Sequence, residues 1–256
     1  MVSTPRLYSP SELAEGAIVE LGAAQTHHLR NVLRREAGAD FIVFNERDGE
    51  FTGALDAISK GRATARVGAR LRTPQFEPDL WLLFAPIKRD AVDFMVEKAT
   101  ELGVAAFLPA ITERTVVARV NVERLAANAV AAAEQSGRLS VPSVREPTKL
   151  ADILADWPVE RRLLYCDEAG DDPHAAWGGR QGRAPPALDV LRNSTSGPWA
   201  ILIGPEGGFT EGERARLRAS AFVTPITLGP RILRADTAAI AAITLWQAAL
   251  GDFRCG

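Results

Sequence analysis

Hydrophobic and polar positions alternate with a period of two in four short stretches near the amino terminus: residues 17–21, 40–44, 51–58 and 63–71. That alternation predicts β-strands with one buried face. A single helical pattern breaks them up over residues 26–36. There Leu29, Val32 and Leu33 form one stripe, while His27, Arg30 or Asn31, and Arg34 form another, bordered by His28 and Arg35. Residues 1–72 therefore read as a small, mostly β unit, a barrel or half-open sheet. Pro74 and Pro78 interrupt the pattern, so residues 73–79 read as a linker.

The periodicity then changes. Strand-like runs at 80–84, 104–108, 163–166, 200–203 and near 226–228 alternate with helical patterns at 89–102, 122–138, 211–219 and 237–250. This order predicts an α/β domain over residues 80–256 with a largely parallel sheet. Asn121 is placed to cap the second of these helices. Val92, Met95, Ala99 and Leu102 form the core stripe of the first, and Ile240, Ile243, Leu245 and Leu250 that of the last. Residues 169–198 fit the alternation poorly and read as a mobile insertion with one short helix at 187–192.

Composition narrows the class. The chain has 256 residues, 46% of them hydrophobic, enough for one large or two smaller cores, and no internal repeat. Net charge is −2, which excludes a polycation that coats nucleic acid indiscriminately. Cys166 and Cys255 are isolated and no signal peptide pattern precedes them, so a reducing, cytoplasmic home is expected. No Cys or His cluster has zinc-ligand spacing and no apolar run has membrane length, so neither a metal nor a membrane is expected.

Two segments carry chemistry. Ile201-Leu202-Ile203-Gly204-Pro205-Glu206-Gly207-Gly208-Phe209-Thr210 runs from a strand through a glycine turn into a helix, and Thr210 with Glu213 forms a capping box. Leu228-Gly229-Pro230-Arg231-Ile232-Leu233-Arg234-Ala235-Asp236-Thr237-Ala238 does the same about twenty residues later, with Asp236 or Thr237 ready to cap the last helix. Two such corners build ligand crevices at the carboxyl ends of parallel strands. Neither GxGxxG nor GxxxxGK[ST] is present, which argues against a dehydrogenase or kinase. Arg231 and Arg234 suit a phosphate or a developing oxyanion; the alternative is that they pair with Glu206 or Asp236 and tie the two loops together.

Basic residues also gather in the amino-terminal unit. Lys60, Arg62, Arg66, Arg70 and Arg72 follow the His27–Arg34 stripe with no acid between 60 and 72. A β-rich unit with a basic stripe suits RNA contact, and a solvated amphipathic face is the alternative. Glu97, Lys98 and Glu101 on one helix, and Glu134, Gln135 and Arg138 on the next, read as structural.

Together these residues resemble the ribosomal small-subunit RNA methyltransferase E family. The matches are Arg6-Leu7-Tyr8, His27-His28-Leu29 through Val32-Leu33-Arg34, Lys88, Glu97-Lys98-Ala99-Thr100-Glu101-Leu102-Gly103, Glu134-Gln135-Ser136-Gly137-Arg138 with Pro142, and both corners. The resemblance implies an amino-terminal PUA-like RNA-binding domain and a SPOUT-class α/β domain with a deep trefoil knot. It implies S-adenosylmethionine as cofactor, a homodimer, and methylation of N3 of one uridine in the decoding region of 16S rRNA within the small ribosomal subunit. Ile203, Gly204, Pro205, Gly207, Gly208, Leu228, Gly229, Ile232 and Leu233 would then hold the cofactor. Arg6, His27, His28, Arg30, Arg34, Lys88, Arg114, Gln135 and Arg138 would face RNA. N3 of uracil carries a proton, so the site needs a base or a cation. Arg234 or Arg231 is expected to stabilise the charge, and Glu206 to help remove the proton.

Two departures stand out: Ala235-Asp236 replaces the family's Thr-Glu, and the 169–198 stretch is longer than the family's. The rivals are a SPOUT enzyme for another RNA, a tRNA or 23S rRNA, and a non-catalytic RNA-binding module.

Overall fold

The computed structural model describes residues 4–59, 61–75, 77–117, 119–167 and 184–254. Lys60, Cys255 and most of the expected insertion lie outside them. The chain divides into two compact units, one of residues 1–76 with 130–141, the other of residues 77–129 with 142–256.

The first unit is built on a five-stranded sheet. Its strands are β1 (Arg6–Tyr8), β2 (Ile18–Leu21), β3 (Asp40–Asn45), β4 (Gly49–Ser59) and β5 (Arg62–Arg72), in the order β1-β3-β4-β5-β2. Among the described residues the β1–β3 pair is parallel and the other pairs are antiparallel. Alternate residues of β3, β4 and β5 bury Phe41, Val43, Phe51, Leu55, Ala65 and Val67 against Leu7, Val19 and Leu29. β1 has too few residues to show a period, and what holds it is a partner more than thirty positions away.

The helix expected at 26–36 is shorter and starts earlier. It is α1 (Ala23–His27), continued by a π-helical turn over His28–Val32. The Gln25 side chain accepts from the Gly22 amide and advances the start. Arg34 takes a left-handed φ of 51° and ends the helix. The wide turn keeps Leu29 in the core while Val32 is 58% exposed. His27, His28, Arg30 and Arg34 all face solvent.

Residues 130–141 include the last turns of a helix, Val122–Ser136, and the reading from sequence places them in the later domain. Arg6 secures this segment. Its Nε donates to Glu50 at 2.8 Å, its Nη1 to the carbonyls of Ala133 and Glu134, and its Nη2 to that of Arg138. Its guanidinium lies 4.2 Å from the Phe44 ring centroid. Arg72 completes the cluster, meeting Glu50 at 2.6 and 2.9 Å and the Gly137 carbonyl at 2.7 Å. Ala133 and Glu134 lie in the last turn of the helix, whose carbonyls lack intrahelical partners, and Gly137 and Arg138 follow it; a cation there also suits the helix dipole. Burial would raise the Glu50 carboxyl, but Arg72 and Arg6 outweigh it and hold the group below its ordinary value. Glu134 goes the other way: burial raises it, although Gln25 and the Tyr8 amide donate to it.

In the second unit β6 (Leu80–Phe84), α2 (Arg89–Glu101), β7 (Ala106–Ile111) and the first turns of α3 (Val122–Ser136) precede β8 (Ser143–Val144), β9 (Thr148–Lys149) and α4 (Leu150–Ala155). Then come β10 (Arg162–Cys166), α5 (Ala187–Arg192), β11 (Trp199–Ile203), α6 (Glu211–Ala219), β12 (Val223–Ile226) and α7 (Ala235–Leu250). Every pairing is parallel, in the order β12-β10-β11-β6-β7-β8, with β9 also on β7. Strands buried on both faces read as continuous apolar runs, as in Leu80–Phe84 and Trp199–Ile203. Asn121 caps α3 as expected, its Oδ1 accepting from the Arg124 amide at 2.7 Å.

Three expectations shift here. The last strand lies at Val223–Ile226 rather than 226–228. It contains Pro225, which the sheet tolerates because β12 is an edge strand, paired among the described strands with β10 alone. α7 begins at Ala235 with Arg234 as its N-cap residue, so neither Asp236 nor Thr237 caps it. Its buried stripe is Ala239, Ala242, Ile243, Trp246 and Leu250, with Ile240 and Leu245 half-buried on its flanks.

Candidate active site

Parallel register puts the carboxyl ends of β10, β11 and β12 side by side: Tyr165 lies opposite Leu202, and Cys166 opposite Ile226. The chain segments leaving these strands therefore emerge at one edge of the sheet, where open parallel sheets bind ligands. They enclose a cavity of about 440 Å³, within the usual range for small-molecule sites.

The 204–210 corner is built locally. Gly208 N–H donates to the Pro205 carbonyl at 2.8 Å and closes a tight turn with Glu206 and Gly207 at its tip. The capping box forms as the sequence predicts. The Glu213 amide reaches Thr210 Oγ1 at 3.2 Å, and the Thr210 amide reaches Glu213 Oε2 at 2.9 Å. Phe209 folds back beneath the turn so closely that a Cβ on Gly204 would sit 2.6 Å from its ring. Glycine is needed there for space. In the other corner Gly229 needs its freedom of angle, with a φ of 111°. Thr227 Oγ1 holds that turn by hydrogen bonding with the Gly229 amide and carbonyl.

All of the residues expected to hold a cofactor line this one cavity, as do Glu206, Arg231 and Arg234. Arg114, expected to face RNA, lines it too: its Nη1 donates to the Gly207 carbonyl at 2.9 Å and braces the turn. Arg231, Arg234 and Glu206 are exposed at the rim. Among the described residues neither arginine forms an ion pair, so the loops are not tied together through Glu206 or Asp236. Asp236 instead accepts from the amide and hydroxyl of its neighbour Thr237 at 2.7 and 3.2 Å.

Other predicted residues lie elsewhere. Lys88 is exposed at the start of α2, and Gln135 is exposed near the end of α3. Arg138 donates to Ser140 at 2.6 Å. Arg6, also expected to face RNA, makes four side-chain hydrogen bonds within its own unit and is 13% exposed, so it serves the framework here.

The sequence reading missed the inner wall. Asp167 follows β10, and its side chain is 1% exposed. Arg218 donates to Oδ2 at 2.7 and 3.0 Å, and Arg214 meets the two oxygens at 3.3 Å each. Tyr165 lies edge-on to Phe209, with ring centroids 5.2 Å apart. Burial, with the Asp167 carboxylate beside it, holds the Tyr165 hydroxyl well above its ordinary range and therefore neutral. An acid directly after a buried strand was the available signal. Its arginine partners are 47 and 51 residues away, beyond any local pattern.

The cavity suits a small organic cofactor bound through backbone. Its walls offer the two glycine turns and the apolar Ile203, Leu228, Leu233 and Ala238; Asp167 and Arg214 on the inner wall are paired, and the unpaired arginines sit at the rim. A parallel α/β sheet with such a crevice, beside a separate β-rich unit, is the arrangement of an RNA methyltransferase with an appended RNA-binding domain. Residues 75–247 match the model of the RNA methyltransferase domain family and residues 21–68 that of the RNA methyltransferase PUA domain. The chain belongs to the ribosomal RNA small subunit methyltransferase E family. It is 32% identical over 239 residues to the Rickettsia conorii ribosomal RNA small subunit methyltransferase E, covering 93% of each chain. The Bacillus subtilis member is 28% identical, with 91% of each chain covered. A Neisseria gonorrhoeae member bound to S-adenosyl methionine superposes with TM-score 0.79 at 31% identity, covering 98% of this chain and 100% of that one. A putative methyltransferase of Legionella pneumophila in complex with S-adenosylmethionine gives TM-score 0.81 at 30% identity with the same coverage.

Proposed function

We propose that this protein methylates N3 of one uridine in the decoding region of 16S rRNA within the small ribosomal subunit. In this reading it works as a cytoplasmic homodimer, and its parallel sheet is knotted in the SPOUT manner. The observation that carries the proposal is the convergence of both glycine corners on one cavity whose rim holds unpaired arginines beside a carboxylate. S-adenosylmethionine, when bound, supplies an activated methyl group.

The chain's own residues do the rest. Gly204, Gly207, Gly208 and Gly229 let backbone groups approach the cofactor, and Ile203, Leu228, Ile232 and Leu233 give it apolar contact. Glu206 accepts the N3 proton of the uracil. Arg234, aided by Arg231, stabilises the negative charge that spreads to the flanking carbonyl oxygens. His27, His28, Arg30 and Arg34, all exposed, contact the RNA from the first unit.

The test incubates the purified protein with labelled S-adenosylmethionine and small subunits that lack the modification, followed by nucleoside mass spectrometry. One N3-methyluridine mapped to the decoding region is expected. Cofactor binding without transfer to small subunits, but with transfer to tRNA or 23S rRNA, would reassign the substrate. No transfer to any RNA would leave a binding module.

A further inference from the structure

A second cleft, of about 520 Å³, lies in the methyltransferase unit and is distinct from the cofactor cavity. It sits over the carboxyl ends of β6 and β7. Two connections place it next to the site already described. The Ala85 amide donates to the Ile203 carbonyl at 2.9 Å, so the chain leaving β6 starts beside the last residue of β11, which lines the cofactor cavity. The segment leaving β7 then serves both spaces: Arg114 borders the cofactor cavity, and Val117, Arg119 and Val120 border the cleft.

The cleft has an apolar floor with cations around it. Ile87, Val92 and Val117 lie between Arg89, Arg119 and Arg124. Asp93 on α2 organises one side: it pairs with Arg124, accepts from Asn128 Nδ2 at 3.0 Å, and stands 3.8 Å from Arg89 Nε. Arg119 has no such partner. It is exposed, as is Lys88 beside Arg89, and neither side chain makes an ion pair or hydrogen bond among the described residues. Glu123 is the acid that lines the cleft. Guanidinium forks left open in a groove match phosphate oxygens. A positively charged groove that tracks the backbone is one part of how proteins hold single-stranded nucleic acid. The aliphatic floor here offers no aromatic ring for base stacking, so this cleft suits the backbone and not the bases.

We propose that this cleft holds the phosphate backbone of the RNA strand that flanks the target nucleotide, with Arg119 as its principal contact and Arg89 and Lys88 supporting it. The inference rests on the reading of this protein as an RNA methyltransferase. A nucleotide delivered to the cofactor cavity remains part of a strand, which must leave past the neighbouring strand ends. The adjoining groove, where Arg119 is unpaired and Lys88 flanks Arg89, is the route that the structure provides.

The experiment compares the wild type with Arg119→Glu, the milder Arg119→Gln, and Arg192→Glu. Arg192 is exposed on α5 and away from the cleft, and its reversal changes net charge as much as Arg119→Glu does. Cofactor affinity is measured by calorimetry, and affinity for unmodified small subunits is measured across a salt series. The expected result is unchanged cofactor affinity in all variants and subunit binding about tenfold weaker in Arg119→Glu. The salt slope of Arg119→Gln should be smaller by about 0.7, the value for one phosphate contact to a single strand. Arg192→Glu should bind as the wild type does. Arg119 variants that bind subunits like the wild type, or an equal loss in Arg192→Glu, would overturn the cleft. Wild-type protein that binds cofactor but no RNA would overturn the functional reading and the cleft with it. Wild-type methylation with unaltered Arg119 variants overturns the cleft alone.

Discussion

The Glu50 cluster of the first unit and the 228–234 corner of the second each hold two arginines, and they are built in opposite ways. Arg6 and Arg72 converge on one carboxylate and on helix-end carbonyls, and Glu50 itself is 6% exposed. Arg231 and Arg234 are exposed and have no counter-charge among the described residues. Satisfied guanidiniums hold structure together, whereas open ones wait for an anion. The same contrast recurs within the cofactor cavity. Arg214 and Arg218 are fixed on Asp167 at the inner wall, while Arg231 and Arg234 remain open at the rim. An arginine count therefore says little about function until the partners are known.

The largest expected effect breaks the open side. Arg234→Ala should lower kcat about 10²- to 10³-fold, the loss usual for one oxyanion-type donor, with no change in unfolding. Single-turnover methyl transfer checks it. A wild-type rate in a variant that binds cofactor and subunits normally would remove Arg234 from catalysis.

Breaking the closed side should show the reverse pattern. Glu50→Gln leaves two guanidiniums without their carboxylate and should cost the first unit about 3 kcal/mol, while cofactor affinity in the second unit stays the same. All five tryptophans lie beyond residue 80, so fluorescence follows the second unit alone. Hydrogen exchange of β4 and β5 amides is the measurement for the first. Because the folded Glu50 carboxyl lies below its unfolded value of about 4.3, its contribution is complete above that pH. It disappears as pH falls through the lower, folded value. Unaltered exchange in Glu50→Gln would show that the cluster is not what secures this unit.

A smaller effect is expected at the cavity itself. Gly204→Ala must displace Phe209, and cofactor affinity should fall about tenfold, or about 1.4 kcal/mol, with the sheet intact. Calorimetry showing unchanged affinity would mean that the turn relaxes freely.

The smallest effect sharpens the pH contrast within the first unit. Glu134 is raised by burial, so its sign is opposite to that of Glu50: its favourable contribution is complete below the unfolded value and lost as pH rises through the folded one. Glu134→Gln keeps a carbonyl oxygen for Tyr8 and Gln25 but carries no charge. It should slow exchange slightly at neutral pH, with the gain vanishing below about pH 4.3. A gain that grows in acid would contradict this.

Much of this architecture is legible in the chain. β6 and α5 lie where their periodicity places them, and α6 begins at the Thr210–Glu213 box. β1 leaves no signal because three residues carry no period, and the pattern points past β12 because Pro225 conceals an edge strand. The continuation of α1 into a π-helical turn was also invisible, since the burial of Leu29 decides it. At the site, both glycine corners form turns that line one cavity, although the strand and helix cap of the second differ from expectation, and Asp167, Tyr165 and Arg214 are not among the expected residues.

By itself, the sequence determined what depends on neighbouring residues. Those features are the strand and helix periods, the capping box, the glycine turns and the motifs that tie the chain to its family. A backbone angle or a cap is settled within a few residues, so a local pattern suffices. The tertiary structure alone decided which charges are consumed. Arg6 meets Glu50 across 44 positions and helix-end carbonyls across 127 to 132, and Asp167 meets Arg218 across 51. Those meetings depend on sheet register and helix docking, which bring distant residues within hydrogen-bond range and leave Arg231 and Arg234 open at the rim.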